Sequence, residues 1–170
     1  PADGRPLESA YNLLMPLEKR VQTWLDTPAG HLNLPLASED HLKAALNGSD
    51  LANFINTVQL EASGAQIASS ALPNEFKGLP TEVTIRDVVS TYIYTNTLVV
   101  LEMTRPALKQ YIERSAAYFD HDENGSVCIS GEFLLPKVQH YNYDFFSGID
   151  LLRKHIGNST FGYFLYFDIL

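Results

Sequence analysis

Apolar positions at the start of the chain recur with a helical period. Leu7, Tyr11, Leu14, Leu17, Val21 and Leu25 fall on one helix face. Pro16 should kink that helix, because its ring removes a backbone donor and crowds the preceding turn. Thr27-Pro28-Ala29-Gly30 ends the helix, and His31 to Leu36 reads as a short extended piece in which Pro35 favours an edge position. Asn47-Gly48-Ser49-Asp50 predicts a turn followed by a helix N-cap. Behind it Leu51, Phe54, Ile55, Val58 and Ala62 trace a clean amphipathic helix, with Gly64 as its left-handed stop. Ala65 to Leu72 alternates as a buried strand, and Pro73 to Pro80, containing Asn74, Lys77 and Gly78, is a loop.

In the second half, Thr84 with Asp87 three residues on forms an N-terminal capping signature, with Asp a weaker partner than Glu. A tight segment, Tyr92 to Leu98, leads into an apolar strand ending at Met103. Leu98, Val99, Val100 and Leu101 are too uniformly apolar for a half-exposed strand, so this strand should sit centrally in a sheet covered on both faces. Thr104 with Pro106 restarts a helix whose buried side is Leu108, Tyr111, Ile112, Ser115 and Phe119. Between Phe119 and Val127, Asn124-Gly125 fits a two-residue hairpin turn. Asp120, Asp122, Asn124 and Gly125 also match the first half of a calcium loop. Its twelfth place is Gly131, however, and the carboxylate of Glu132 comes one residue late, which favours the hairpin. Helices and strands without regular βαβ alternation predict an α+β fold, a two-layer mixed sheet packed with helices.

Composition narrows the function classes. At 170 residues, 45% hydrophobic and 11% aromatic, the chain can bury one sizeable core, and its length predicts a single domain over 1–170. A net charge of -8 makes a nucleic acid polymer a poor partner, since such binding neutralises phosphates with Lys and Arg. A mononucleotide needs only a local pocket. No run of 18 apolar residues offers a membrane span. Pro1, without initiator methionine or leader, predicts that the sequence is a piece of a longer chain. The lone Cys128 forbids an intrachain disulfide. Two-metal phosphoesterase chemistry needs clustered Asp, His and Asn that hold ions about 3.5 to 4 Å apart. The five histidines, His31, His41, His121, His140 and His155, are scattered, and each reads as a surface or capping residue. No nucleophile motif such as Gly-x-Ser-x-Gly is present, so no catalytic residue and no metal ligand is assigned.

Several segments together carry a family resemblance. Leu25-Asp26-Thr27-Pro28-Ala29-Gly30, Asp50-Leu51-Ala52-Asn53-Phe54-Ile55 with Gly64-Ala65, and Ala71-Leu72-Pro73-Asn74 follow one another in order. The Tyr92-Ile93-Tyr94-Thr95-Asn96-Thr97-Leu98 turn, Tyr141-Asn142-Tyr143-Asp144 and Gly148-Ile149-Asp150 continue the series. Over roughly residues 7 to 150 the chain resembles the C-terminal substrate-binding domain of the 5'-nucleotidases and 2',3'-cyclic-nucleotide 2'-phosphodiesterase/3'-nucleotidases. The last two motifs are most like the cyclic-nucleotide branch. The resemblance implies a nucleoside or nucleotide partner, bound by an aromatic-x-Asn turn at Tyr94 and Asn96, with Asn74 a further candidate. It also implies that hydrolysis and its divalent metal ions belong to a separate N-terminal metallophosphoesterase domain, with no cofactor in this one. The location it implies is extracytoplasmic, the bacterial periplasm or cell wall.

Stacking gives the Tyr94 and Asn96 reading a physical basis. A base on an aromatic face is worth roughly 1 to 3 kcal/mol, and an amide two residues on offers a donor and an acceptor to the base edge. The alternative is that Tyr94 packs in the core and Asn96 serves only the turn. The chain departs from the family pattern in three places. Asn74-Glu75-Phe76-Lys77-Gly78 replaces an Asn-x-Gly-Gly-Ile-Arg stretch, so no arginine contact to nucleotide carries over. Ile93 and Thr95 stand where proline and aspartate are usual. Leu151 to Leu170 resembles nothing in the family, which continues there with more sheet and a second base-stacking aromatic. Phe161, Tyr163, Phe164, Tyr166 and Phe167 in that tail read either as a substitute strand or as exposed apolar surface produced by truncation or a frame change.

Overall fold

The computed structural model describes residues 8–94, 96–149, 151–153 and 163–165. In chain order the elements are α1 (Glu8–Leu25), β1 (Pro28–His31), α2 (His41–Asn47), α3 (Asp50–Ser63), β2 (Ala68–Ala71), β3 (Glu82–Thr84) and α4 (Ile85–Thr91). Then follow α5 (Arg105–Ala116), β4 (Phe119–His121), β5 (Val127–Ile129), β6 (Asp144–Ser147), β7 (Leu151–Arg153) and β8 (Tyr163–Leu165), with single 3-10 turns at Gly131–Phe133 and His140–Asn142. This is an α+β chain. Among the described residues its strands pair as four two-stranded antiparallel ladders, β1-β3, β2-β6, β4-β5 and β7-β8. Two compact units emerge, one drawn from Pro1–Ala37 and Lys77–Ile93, the other from Ser38–Phe76 and Tyr94–Leu170.

In the first unit α1 runs through Pro16 as one helix, and the apolar face expected of it is exposed at Tyr11, Leu14, Leu17 and Val21. Leu7, the first position of that face, lies outside the described residues. The residues that stop α1 also open the first ladder. β1 starts at Pro28, three positions before the extended piece expected at His31, and the register shifts between Pro28 and Gly30. Leu36 continues the pairing as a bridge to Leu79. At the start of α4 both halves of the capping box form. The Thr84 side chain accepts from the Asp87 N–H, and the Asp87 carboxylate accepts from the Thr84 N–H at 2.8 Å. Arg86 ties α4 to the end of α1, donating to Asp26 Oδ1 and to Gln22 Oε1, both at 2.7 Å.

The second unit is built on α3 and the β2-β6 ladder. Ser49 caps α3 by accepting from the Ala52 N–H, and Gly64 ends it at φ 68°. The helix is present as expected, but its buried face is turned. Leu51, Ala52 and Asn56 are buried while Phe54 and Val58 are exposed. The reason is at Asn56, which is 0% exposed and donates through Nδ2 to the Phe145 carbonyl of β6 at 2.9 Å. Ala52, four residues before it, is 0% exposed on the same face. Across α5, Ile112 and Ser115 are buried as expected, and Ser115 Oγ both donates to the Asp144 carbonyl and accepts from the Asp144 N–H. Tyr118, 0% exposed, is the hub of the core, with the rings of Phe119, Phe133, His140 and Tyr143 around it. The short helix α2, capped by Asp40, has no counterpart in the sequence reading.

Two local expectations are corrected. Leu98 to Met103 forms no strand. It belongs to no ladder of the described residues, and Leu98, Val99, Val100 and Leu101 are 47 to 69% exposed. Its apolar composition marks a segment suited to pairing on both sides, but composition cannot supply the neighbouring strands. The hairpin between β4 and β5 is also longer than a two-residue turn. Asp122 closes it, donating its N–H to the Ser126 carbonyl and accepting from the Asn124 and Ser126 N–H groups at 2.9 and 2.8 Å, with Gly125 at φ 78°. In the tail, Tyr163 and Phe164 fall in β8, which pairs with β7. Phe161, Tyr166 and Phe167 lie outside the described residues, as do Thr95, Asp150 and His155.

Candidate functional site

All three residues named from the sequence belong to the second unit. Tyr94 and Asn96 stand in the irregular segment that precedes α5, and both are exposed, Tyr94 at 48%. Neither is packed in the core. The Tyr94 ring is therefore partly open to solvent, and Asn96 follows it two residues later in chain that belongs to no helix or strand.

Asn74 sits at the far end of β2, just after the buried Leu72, and its amide is engaged on both sides. Nδ2 donates to the Val138 carbonyl at 2.8 Å, and Oδ1 accepts from the His140 N–H at 2.9 Å. The Asn74 carbonyl accepts from His41 Nε2 at 2.9 Å. An Asn amide carries two donor hydrogens and two acceptor lone pairs, and these two bonds use one of each. In the folded chain Asn74 joins the 73–76 loop to the 138–140 segment.

Around that junction the structure gathers residues the sequence reading left scattered. His41 stacks on His140 with centroids 4.0 Å apart and planes at 16°, and Phe76 meets His41 edge-on at 5.4 Å. His140 Nδ1 lies 2.7 Å from the buried Tyr118 hydroxyl. No local motif links these positions, since His41 opens α2 and His140 stands just before the Tyr141-Asn142-Tyr143-Asp144 motif. The only sequence signal was that motif itself, which marks a segment needed for packing.

Electrostatics follow from burial. The Tyr118 phenol is pushed above its usual range, first by burial and then by the negative potential of Asp40. The Asp144 carboxyl is pushed up by burial, with a hydrogen bond from Tyr111 acting against it. The Cys128 thiol is raised by desolvation and by Asp120 and Asp122, which leaves less of the reactive thiolate at neutral pH. Among the described residues no group of three or more His, Cys, Asp or Glu side chains is placed to hold a metal ion. No helix there is long and apolar enough to cross a membrane.

The comparisons with known proteins agree with this arrangement of elements. Residues 28–151 match the family described as 5'-nucleotidase, C-terminal domain. The chain is also similar to a Staphylococcus aureus protein described as a candidate 5'-nucleotidase, whose crystal structure contains alpha-ketoglutarate. The identity is 37% and the TM-score 0.73, over 81% of this chain and 27% of that one. The chain thus spans about a quarter of the length of that relative. No curated protein matches it. With the matched region running from β1 to the start of β7, the chain belongs to the 5'-nucleotidase C-terminal domain family.

Proposed function

We propose that this chain is the substrate-recognition domain of an exported, metal-dependent nucleotide hydrolase of the 2',3'-cyclic-nucleotide 2'-phosphodiesterase/nucleotidase type. The base stacks on Tyr94, Asn96 meets its edge, and Asn74 uses its remaining donor or acceptor on the nucleoside. The phosphate is presented to an N-terminal metallophosphoesterase domain, where divalent metal ions and the catalytic groups reside. The enzyme works outside the cytoplasm, in the bacterial periplasm or cell wall. Family membership supports the class, and the observation that carries the site is the half-exposed ring of Tyr94, with Asn96, also exposed, two residues on.

Titrating adenosine and 2',3'-cyclic AMP against the wild-type chain and Tyr94→Ala tests the reading. Stacking worth about 1 to 3 kcal/mol predicts that Tyr94→Ala weakens binding by about 5- to 150-fold. Equal signals from both proteins would sink it. A structural or self-association domain with a vestigial pocket is the second reading. The exposed run from Leu98 to Met103 favours it, since a bare apolar segment seeks another chain. Sedimentation that shows concentration-dependent association, with no nucleotide binding by the wild type, would select that second reading.

A further inference from the structure

We propose that the stacked rings of His41 and His140 form a proton-operated clasp, which holds the Asn74 loop to the 138–140 segment at neutral pH and releases it in mild acid. His41 Nε2 donates to the Asn74 carbonyl, which fixes the proton on that nitrogen. Tyr118 is 0% exposed, so its hydroxyl proton needs an acceptor, and His140 Nδ1 at 2.7 Å is the one provided. His140 is thereby held as the neutral ring with its proton on Nε2. A second proton, on Nδ1, removes the acceptor of a buried hydroxyl. It also sets a cation against the face of another imidazole 4.0 Å away.

The groups facing the pair decide how far this opposes protonation. Asp40, the cap of α2, is an acidic group that acts on the rings, and it favours the charged form of His140. From the end of α5 comes the Tyr118 hydroxyl, with Tyr143 next to it. From the 73–76 loop Asn74 and Phe76 meet the pair, and neither titrates; Glu75 between them is an exposed carboxylate. Burial acts most strongly and His41 next, and together they hold His140 below the usual histidine range. The sign follows from linkage. In mild acid the unfolded chain binds a proton that the closed clasp refuses. The clasp's contribution is therefore whole above the ordinary pKa of about 6.5 and is lost as the pH falls below it. When it opens, the His140 N–H and the Asn74 side chain lose each other. None of this depends on what the domain binds.

Imidazole nitrogen shifts of the wild-type chain, followed between about pH 8 and 5, report tautomer and titration together. Exchange of the His140 amide, which donates to Asn74 Oδ1, reports the clasp. The expected result is the Nε2–H tautomer of His140 at neutral pH and a midpoint below the ordinary value. Amide protection should fall by about tenfold or more over the same interval, after correction for intrinsic exchange. Tyr118→Phe keeps the ring and removes the hydroxyl, so the His140 midpoint should rise and the acid loss of protection should shrink. An ordinary or raised midpoint, the opposite tautomer, protection that persists into acid, or a midpoint indifferent to Tyr118→Phe would each overturn the clasp. The wild-type titration decides alone should the variant not fold.

Discussion

At the scale of single residues, two glycines with the same handedness carry different demands. Gly64 and Gly148 both have positive φ, 68° and 85°. A Cβ at Gly64 would meet open space, whereas one at Gly148 would overlap the Gln66 carbonyl oxygen and lie 3.2 Å from its carbon. Gly64→Ala should therefore cost only the conformational term, about 1 kcal/mol. Gly148→Ala adds a clash with backbone beside the β2-β6 ladder and should cost more than about 2 kcal/mol. Denaturant midpoints of the two variants check this, and equal losses would show that Gln66 yields. Asn74 shows how much of the site can be read at this scale. Its identity is visible in the sequence, but its partners at 138 and 140 are brought to it by folding, so its structural duty was not legible. The stacked histidines were invisible for the same reason.

At the scale of elements, the helix ends were the legible part. Ser49 with Gly64, Thr84 with Asp87, and Thr104 before Pro106 all act where the sequence places them, because a cap answers a local need of unpaired backbone groups. Thr84→Ala should cost about 1 kcal/mol of stability in thermal or denaturant unfolding. The Asp87 carboxyl is held below its usual range, first by the Thr84 side chain and then by the Thr84 N–H. Its stabilising share is present above the ordinary carboxylate pKa and is lost as the pH falls through the lowered one. Removing the Thr84 hydroxyl should flatten that acid dependence, and an unchanged pH profile would contradict the assignment. Which face a helix buries was less legible than its ends. In α3 the period was right and the phase wrong, since hydrophobic spacing could not foresee that Asn56 would reach a strand carbonyl.

At the scale of the whole molecule, the α+β class could be read from the mixture of elements, but strand pairing could not. Partners such as β2 and β6 are far apart in sequence, and neither carries a mark of the other. The largest miss, Leu98 to Met103, has the same origin, since a run rich in valine and leucine tells how a strand would pack and not whether a sheet exists around it. Left exposed, such a run is an adhesive edge. Val100→Lys should lower concentration-dependent light scattering of the chain without changing its unfolding free energy by more than about 0.5 kcal/mol, as expected of an exposed site. Unaltered scattering would place the adhesive surface elsewhere.

The β2-β6 pairing also has a consequence in time. Ala71 of β2 faces Asp144 of β6, so roughly 75 residues must be synthesised after one strand before the other exists, about 4 to 15 s at ribosomal speed. Throughout that wait the earlier strand stands on the nascent polypeptide with no mate. Ala-Ser-Ser-Ala is a mild sequence for such a delay, small and hydroxyl-rich, and far less prone to mispair than a stretch of valines would be in its place.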